Sequence, residues 1–439
     1  MRLPLLLAAL CMVAACAPSA QVTKNSPPAE VGVGFGSLGP LRASASMPQG
    51  SSLMRDFMDL TFTMESGRTL DVFTRFEGPV TVALAGDVPG SAPADLAALV
   101  GRLQREAGID IRMTEGAATI TVEFASRAVI RRLAPTAACF VVPNVGSLAD
   151  YRRKRGSNAV DWGQVTRRER AAIFIPADTS PQEVRDCLHE ELAQALGPLN
   201  DLYRLPDSVF NDDNFHSILT GFDMEILRLT YSPALSSGMR REEVAARLGA
   251  PVAGGASAPS ADWTRAIETA LGRSASLAKR RAAAEKALSI ATARGWTDSR
   301  AGFSHFALGR LLAGSDPGRA LQAFQSAAAI YAGLPGGELQ IAHVDMQLAA
   351  MALSRGLPEE AARLADRAIP IVRRHQNSAL LATLMLLKAE ALDRLGQGAA
   401  AAALRLDSAP LARYGFGPDS EVKARMRDIA AVADRGVKG

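Results

Sequence analysis

The sequence predicts an α+β domain followed by an all-α domain of helical repeats. Three features of the 439 residues support this order. Residues 51–240 alternate short apolar strand patterns with amphipathic helices. Residues 263–439 are rich in Ala and Leu, with helical periodicity almost throughout. Between them, residues 241–262 contain a stretch rich in Gly, Ala, Pro and Ser, which is typical of a linker.

The composition excludes several classes of protein. The chain is 48% hydrophobic and 21% charged, which rules out a collagen-like, disordered or wholly membrane-embedded chain. Lysine and arginine total 49 against 45 acidic residues, so the net charge is only +4. This balance gives no reason to expect a nucleic-acid partner.

The N-terminus has the pattern of an exported lipoprotein. Residues 1–15 carry one charge at Arg2 and an apolar run too short to span a bilayer, which predicts a signal peptide. The segment 13–16 resembles the bacterial lipobox, in which the cysteine is acylated and begins the mature chain. The resemblance implies lipidation of Cys16 and attachment to a membrane of the cell envelope, and Ala17 favours the outer membrane, facing the periplasm. An ordinary secretory signal is the alternative.

The mature chain is predicted to have a tether and one disulfide. Residues 16–50 are rich in Pro, Gly, Ser and Ala and lack hydrophobic periodicity, as expected for a lipidated flexible tether. Beyond Cys16, only Cys139 and Cys187 remain. An even pair in an exported protein favours a disulfide, with two separate buried thiols as the alternative.

Periodicity and capping signals define the elements of the α+β region. The predicted strands are 79–84, 110–113, 118–124, 139–143 and 171–176. The predicted helices are 92–106, 181–196 and 220–231. Ser180 is a candidate cap with Glu183 at the capping-box position, and Thr220 is the candidate cap of the last helix.

The all-α region contains an internal period of about 40 residues. Turn glycines recur at intervals of 42 and 40 residues, and alanines at the start of the following helices recur at 41 and 40. These residues are Gly314, Gly356 and Gly396, and Ala320, Ala361 and Ala401. The recurrence resembles tetratricopeptide repeats with longer helices than usual, and an unrelated helical bundle is the alternative. The resemblance implies a concave surface for a protein or peptide partner.

The last turns of helix 181–196 and the residues after it carry a polar motif. Glu190 and Gln194 are four residues apart and share one helix face, with Glu191 beside them. Gly197 can take the left-handed conformation that ends a helix, which would bring Asn200 back toward that face.

This spacing resembles the metzincin motif H-E-x-x-H-x-x-G-x-x-H of zinc peptidases. Glu190, Gln194 and Asn200 stand where the three histidine ligands belong, and Glu191 stands where the general base belongs. The segment 208–211 is similar to a Met-turn, with Phe210 in place of Met, and 219–231 is similar to the closing helix of matrixin-type proteases. The upstream order of strand, long helix, paired strands and strand 171–176 also suits that fold.

The resemblance implies a metzincin-like (zincin-like) domain over residues 51–240. The chain is similar to a proteobacterial lipoprotein family that has a domain of unknown function with an E-E-x-x-Q-x-x-G-x-x-N-D signature. In this chain, tetratricopeptide-like repeats follow that domain. The Asp of the signature is Asp201.

The residues at the ligand positions are a poor set for zinc. Zinc prefers His nitrogen and Cys sulfur, whereas one carboxylate and two amides suit a hard cation better. Without a metal, Glu191 cannot generate hydroxide near neutral pH. We therefore predict a degenerate metallopeptidase without a cofactor, in which Glu190, Gln194, Asn200 and Asp201 hydrogen-bond one another and maintain the old cleft.

Two alternatives remain for this cluster. An active peptidase would need zinc at an unconventional site around Glu191 that recruits His189, Asp201 or His216. Alternatively, the spacing is accidental and the helix is an ordinary one. His189 is expected on the surface or in packing, and His216 in a solvated loop. The other histidines, His305, His343 and His375, are expected to be too dispersed to form a site.

The function predicted from these features is that of a lipid-anchored envelope scaffold or binding protein. Its partners would be the membrane, through the lipid, and a protein or peptide on the repeats. The alternative is an active metal-dependent peptidase. The basic runs 152–155 and 167–168, which flank Trp162, are predicted to lie in a solvated loop that faces anionic lipid or a partner.

Overall fold

The computed structural model of the chain describes residues 51–249, 261–272 and 274–435. The predicted signal peptide, Cys16 and the tether 16–50 lie outside the described residues. Among those that are described, no helix combines the length and apolar character needed to cross a bilayer.

The first domain, residues 51–249, is built on a five-stranded sheet. The strands lie in the order β2-β1-β3-β5-β4, and all pairs are parallel except β4 with β5 at one edge. Their bounds are β1 Val80–Gly86, β2 Ile111–Met113, β3 Ile120–Ala125, β4 Phe140–Pro143 and β5 Ala171–Pro176. All five predicted strands are present, with small differences at their ends.

Seven helices accompany this sheet in the described part of the first domain. They are α1 Ser51–Thr61, α2 Ala92–Ala107, α3 Arg127–Leu133, α4 Leu148–Lys154, α5 Pro181–Leu196, α6 Gly221–Thr230 and α7 Arg241–Leu248. The sequence predicts α2, α5 and α6 but not the other four. Helix α7 lies in the predicted linker 241–262, yet its Val244 and Ala245 are buried in the core of the first domain. The first domain therefore extends to at least residue 248.

Helices cover both faces of the sheet, and β5 is consequently buried along its whole length. Ile173 and Ile175 point into the larger core, which they share with α2 and α5. Ala172 and Phe174, which alternate with them, point into a smaller core with residues of α3 and α4. This alternation explains why the strand is apolar at every position.

The second domain, residues 261–435, is helical throughout its described part. Its helices are α8 Ala261–Leu271, α9 Leu277–Ala293, α10 Ser299–Leu312, α11 Pro317–Ala332, α12 Glu338–Ser354, α13 Pro358–Arg374, α14 Ser378–Arg394, α15 Gly398–Phe416 and α16 Asp419–Arg435. The predicted turn glycines separate α10 from α11, α12 from α13 and α14 from α15. The alanines Ala320, Ala361 and Ala401 are fully buried, which is what close packing of paired helices requires.

The inner helices α10, α12 and α14 are buried on nearly all sides. Their partners α11, α13 and α15 cover one side, and α16 folds back against α12 and α14. Helices that are apolar around most of their circumference are buried between layers. The inner side of these helix pairs is thus occupied by the chain itself.

The first domain also packs onto these inner helices through the segment 201–219. Phe215 is 3% exposed and belongs to the hydrophobic core of the second domain, against Phe303, Phe306 and His343. Tyr203 packs edge-on against Trp263 at a ring distance of 5.0 Å. The two domains therefore share a core at this segment.

Polar contacts add to the domain interface. The Gln182 side-chain amide donates to Asn377 Oδ1 at 3.1 Å, and its oxygen accepts from the backbone N–H of Ala379 at 2.8 Å. The Tyr414 hydroxyl donates to Asp95 Oδ2 at 2.8 Å. Buried hydrogen bonds of this kind fix one relative orientation of two packed surfaces.

Candidate functional site

Helix α5 carries most of the predicted site residues and is fixed near its start and in its middle. The Ser180 hydroxyl accepts a hydrogen bond from the backbone N–H of Glu183, so the predicted cap is present. Cys187 forms a disulfide with Cys139, with Cα atoms 6.0 Å apart, which confirms the predicted pair. The side chains of the last two turns therefore have well-defined neighbours.

The two amides at the ligand positions are engaged in hydrogen bonds to the N-terminal part of the domain. Gln194 Nε2 donates to Glu65 Oε1 at 3.1 Å. Asn200 is 1% exposed, and its Nδ2 donates to the backbone carbonyl of Asp59 at 3.0 Å. Both amides thus tie the end of α5 to α1 and the turn after it. They do not bond one another, in contrast to the predicted mutual network.

The carboxyl groups of the motif are held in their neutral forms. Burial, together with the charges of Glu65 and Asp212, raises the pKa of Glu190 to about 8. Burial and the neighbouring Glu190 raise the pKa of Glu191 well above its usual range, and the same causes act on the pKa of Asp201. Carboxyls that crowd together away from water cannot all ionise, so they retain protons at neutral pH.

Two oxygens in this cluster have no hydrogen-bond partner. They are Oε2 of Glu191, a residue that is 5% exposed, and Oδ1 of Asp201. A protonated carboxyl presents both a donor and an acceptor, so these atoms can bond a small polar ligand or water. They are the features of the site that could accept something from outside the chain.

The residues at the predicted ligand positions do not fit a catalytic zinc ion. Zinc binds neutral imidazole nitrogen, thiolate sulfur or ionised carboxylate oxygen, whereas these positions present a carboxyl with a raised pKa and two neutral amides whose NH2 groups are engaged. In residues 51–249, 261–272 and 274–435, no group of three or more His, Cys, Asp or Glu side chains is arranged to hold a metal ion.

His189 is a packing residue rather than a ligand. It is 4% exposed, and its Nδ1 accepts a hydrogen bond from the backbone N–H of Leu219 at 3.0 Å. Burial and the charges of Arg102 and Arg185 lower the pKa of His189 well below its usual range. The neutral ring connects α5 to the segment 201–219.

The prediction for His216 was wrong, because this residue does not lie in a solvated loop. Its side chain is 1% exposed, and Nε2 lies 3.0 Å from the carbonyl oxygen of Pro206 and 3.8 Å from Asp207 Oδ1. Its ring centroid lies 5.5 Å from that of His375 of the second domain. Burial lowers the pKa of His216 to about 4.

The histidines of the second domain are less dispersed than predicted. His343 contacts Phe215, and His375 Nε2 lies 2.9 Å from Glu338 Oε1 beside His216. His216 and His375 therefore meet at the domain interface, and His343 lies against Phe215, the residue before His216. The segment 201–219 brings them together, and no sequence pattern reveals it.

Gly197 ends α5 for a different reason than predicted. Its φ is −168°, so it does not use the left-handed conformation. A Cβ at this position would lie 2.7 Å from the Thr230 side chain, so the glycine permits close packing of α5 against α6. The chain still turns back and buries Asn200.

Arg168 terminates α5 by hydrogen bonds to its last carbonyl groups. The guanidinium is 4% exposed and donates to the backbone oxygens of Gln194, Ala195 and Gly197. Burial lowers its pKa to about 10, so it remains charged at neutral pH. A cation at the C-terminus of a helix also interacts favourably with the helix dipole.

The Met-turn-like segment is a buried support beneath α6. Phe210 is fully buried in the first core. The Ser208 hydroxyl donates to Asp223 Oδ1 at 2.5 Å, and Asp223 also accepts from the backbone N–H of Val209 and of Thr220. The Thr220 cap predicted from sequence is present as a capping box with Asp223.

Sequence reasoning missed several residues around the motif, among them Glu65, Asp212 and Arg168. Glu65 and Asp212 raise the pKa of Glu190, and Arg168 holds the end of its helix. None of these three lies in a recognisable motif. The prediction that Arg168 lies in a solvated basic loop was wrong, because Arg168 is buried against the end of α5, whereas the neighbouring Arg167 is exposed.

Comparison with known proteins identifies one domain. Residues 50–250 match the family described as "Protein of unknown function (DUF2927)". The matched range coincides with the first domain, including α1 and α7. No curated protein and no solved structure matches the chain significantly.

Proposed function

We propose that the DUF2927 domain of residues 50–250 is a catalytically degenerate, metzincin-like metallopeptidase domain. Together with a tetratricopeptide-like repeat domain, it would serve as a lipid-anchored scaffold or binding protein of the bacterial cell envelope, at the outer membrane facing the periplasm. The anchor would be Cys16, and the disulfide between Cys139 and Cys187 suits an oxidising compartment.

The order of elements supports the metzincin-like part of this proposal. A strand, a long helix and paired strands precede β5 and the motif-bearing helix α5, in the order on which the resemblance rests. A buried turn with Phe210 and a closing helix, α6, follow the motif. Likeness of fold alone carries no activity, so the function rests on the site.

The observation that carries the proposal is how the motif side chains are engaged. Gln194 and Asn200 hold α1 and the turn after it, while Glu190 and Glu191 are neutral. A catalytic zinc ion would need an ionised carboxylate and nitrogen or sulfur donors in place of neutral carboxyls and amides. The motif side chains instead make internal contacts that maintain the metallopeptidase-like fold of the domain.

Under this proposal, the repeat domain binds its protein or peptide partner through the outer helices. The inner face is filled by the segment 201–219 and by α16. Four large apolar side chains are exposed in the described part of this domain, and the most exposed are Leu357, just before α13, and Leu406 on α15, at 47% and 77%. Exposed apolar side chains are a common feature of protein-binding surfaces.

A second candidate function is favoured by the two unpartnered oxygens. Glu191 Oε2 and Asp201 Oδ1 could accept a hard cation if their carboxyls lost their protons. An active metal-dependent peptidase around Glu191 would operate with these carboxyls deprotonated and bound to the cation. It requires the deprotonation that burial opposes.

A peptidase assay with metal analysis separates the two functions. The chain from residue 17 to 439, exported with a cleavable signal so that the disulfide forms, would be incubated with zinc or calcium and a mixture of peptides. We expect no bound metal after gel filtration and no cleavage above that of Glu191→Gln. The surface variant Glu360→Gln is the matched control.

The peptidase alternative would be established by one combined result. Stoichiometric metal together with cleavage that Glu191→Gln abolishes and Glu360→Gln retains would overturn the scaffold proposal. Bound metal without cleavage would indicate a metal-binding protein without peptidase activity. It would also show that the carboxyls of the motif are ionised rather than neutral.

A further inference from the structure

The positive charge of this protein is concentrated in one part of the first domain. Residues 127–170 contain ten Lys or Arg and three Asp or Glu, a net charge of +7. The whole chain has a net charge of +4, so all other residues together carry −3. Such asymmetry indicates a surface that meets an anionic partner.

The fold gathers this charge on the outer side of α3 and α4. The two helices share the smaller core, where Ile130, Leu148 and Tyr151 pack beneath them. Arg155 links them by donating to the backbone carbonyl of Leu133 at 3.1 Å. Their apolar sides face the sheet, so their arginines face outward.

We define the basic face by the exposed arginines of these two helices and the residue after α4. They are Arg131, Arg132, Arg152, Arg153 and Arg155. Asp150 pairs with Arg153 and with Lys154. Within the described part of the chain, Arg131, Arg132 and Arg152 form no ion pair, so their charge is directed to solvent.

An open concavity of about 330 Å³ borders this face. Arg127, Arg131, Thr136 and Glu183 line it together with apolar residues of the turn that leads to Cys139. Glu183 pairs with Arg127, so Arg131 is the lining cation whose charge is not paired within the described residues. The dimensions of the concavity suit a phosphate-bearing headgroup more than a folded protein segment.

We propose that the basic face docks the first domain onto an anionic phospholipid bilayer. Clusters of Lys and Arg bind such surfaces because each cation near the membrane adds attraction. The contact would be a second attachment beside the lipid, and stable anchoring typically uses two signals. The docking proposal is argued from the charge distribution and the bordering concavity, and it does not depend on the state of the α5 carboxyls.

Nucleic acid is a poorer match to the same face. Single strands bind through aromatic side chains on which bases stack. Tyr151 is stacked on Phe174, and Arg168 lies over the Trp162 ring at 4.7 Å. The aromatic rings nearest the basic face are therefore engaged within the protein.

The test is vesicle co-sedimentation with the non-acylated chain 17–439, exported so that its disulfide forms. The vesicles contain equal parts of phosphatidylglycerol and phosphatidylethanolamine, with phosphatidylcholine vesicles as the neutral comparison. We expect binding to the anionic vesicles only, weakened by salt. The triple variant Arg131→Gln/Arg132→Gln/Arg152→Gln should bind about 100-fold more weakly, since each cation contributes roughly fivefold.

A matched triple variant removes the same charge elsewhere. Arg247, Arg355 and Arg373 are also exposed and form no ion pair among the described residues. Their joint replacement by Gln should leave vesicle binding within about twofold of wild type. Thermal unfolding of both triple variants reports folding, and the single variant Arg152→Gln, expected to lose about fivefold, replaces the first triple if it unfolds.

Three outcomes would overturn the proposal. One is absence of binding to anionic vesicles, and another is equal loss in the two triple variants. The third is binding to a DNA oligonucleotide that is tighter than binding to vesicles and that the triple variant of the basic face loses. This result would assign the basic face to nucleic acid.

Discussion

Arg168→Ala is expected to destabilise the first domain by about 3–5 kcal/mol, since each buried acceptor left unpaired costs roughly 1–3 kcal/mol. The change leaves the carbonyls of Gln194, Ala195 and Gly197 without their donor in a site that water does not reach. It also removes the cation from the C-terminus of α5. Chemical denaturation followed by circular dichroism measures the loss.

The neighbouring Arg167 provides the control for this prediction. Arg167 is exposed, so Arg167→Ala should change the free energy of unfolding by less than about 0.5 kcal/mol. Arg168→Lys should recover only part of the stability, because one ammonium cannot reach three carbonyls in a fixed fork. Equal stability of Arg168→Ala and Arg167→Ala would show that the helix terminus does not depend on Arg168.

Phe215→Ala is also expected to have a large effect and to lower the free energy of unfolding by about 3–5 kcal/mol. Phe215 belongs to the first domain in sequence but lies in the core of the second, beside Phe303 and Phe306. The variant should therefore uncouple the domains as well as destabilise them. We expect unfolding in two separate transitions and protease cleavage within the segment 201–219.

Phe73→Ala distinguishes loss of coupling from simple loss of packing. Phe73 is also fully buried, but it lies in the core of the first domain. Its removal should cost a similar free energy without exposing the segment 201–219 to protease. If Phe215→Ala resists protease as wild type does, the packed interface does not hold the domains together.

Regular elements were predictable because their signals are local. The strand 171–176 and helix 181–196 were located to the residue by apolar runs, the Ser180 cap and Pro181. The period of the glycines and alanines located the paired helices of the second domain. The disulfide followed from counting cysteines.

Contacts between distant segments were not predictable in this way. The sequence places His216 after an acidic stretch, which suggests exposure, yet the second domain covers it. The prediction that the motif side chains bond one another also failed, because Gln194 and Asn200 bond to Glu65 and to the backbone of Asp59 instead. Partners that depend on tertiary packing leave no periodic signal.

The pH dependence of the motif follows from the direction of the Glu190 shift. Its folded pKa of about 8 lies above the usual value of 4.5. The stability that the protonated carboxyl contributes is therefore complete below pH 4.5 and is lost as pH rises through 8. A glutamine at this position imitates the neutral carboxyl and does not ionise.

The most direct test of the neutral motif is the free energy of unfolding of wild type and Glu190→Gln across the pH range from 4.5 to 8. We expect the two proteins to be similar in stability at the acid end, and the variant to become progressively more stable than wild type as pH rises. The difference should grow by at most about 1.4 kcal/mol per pH unit. A wild type that gains stability over the variant with rising pH would contradict the account, because it would show that the ionised carboxylate is the form the fold stabilises.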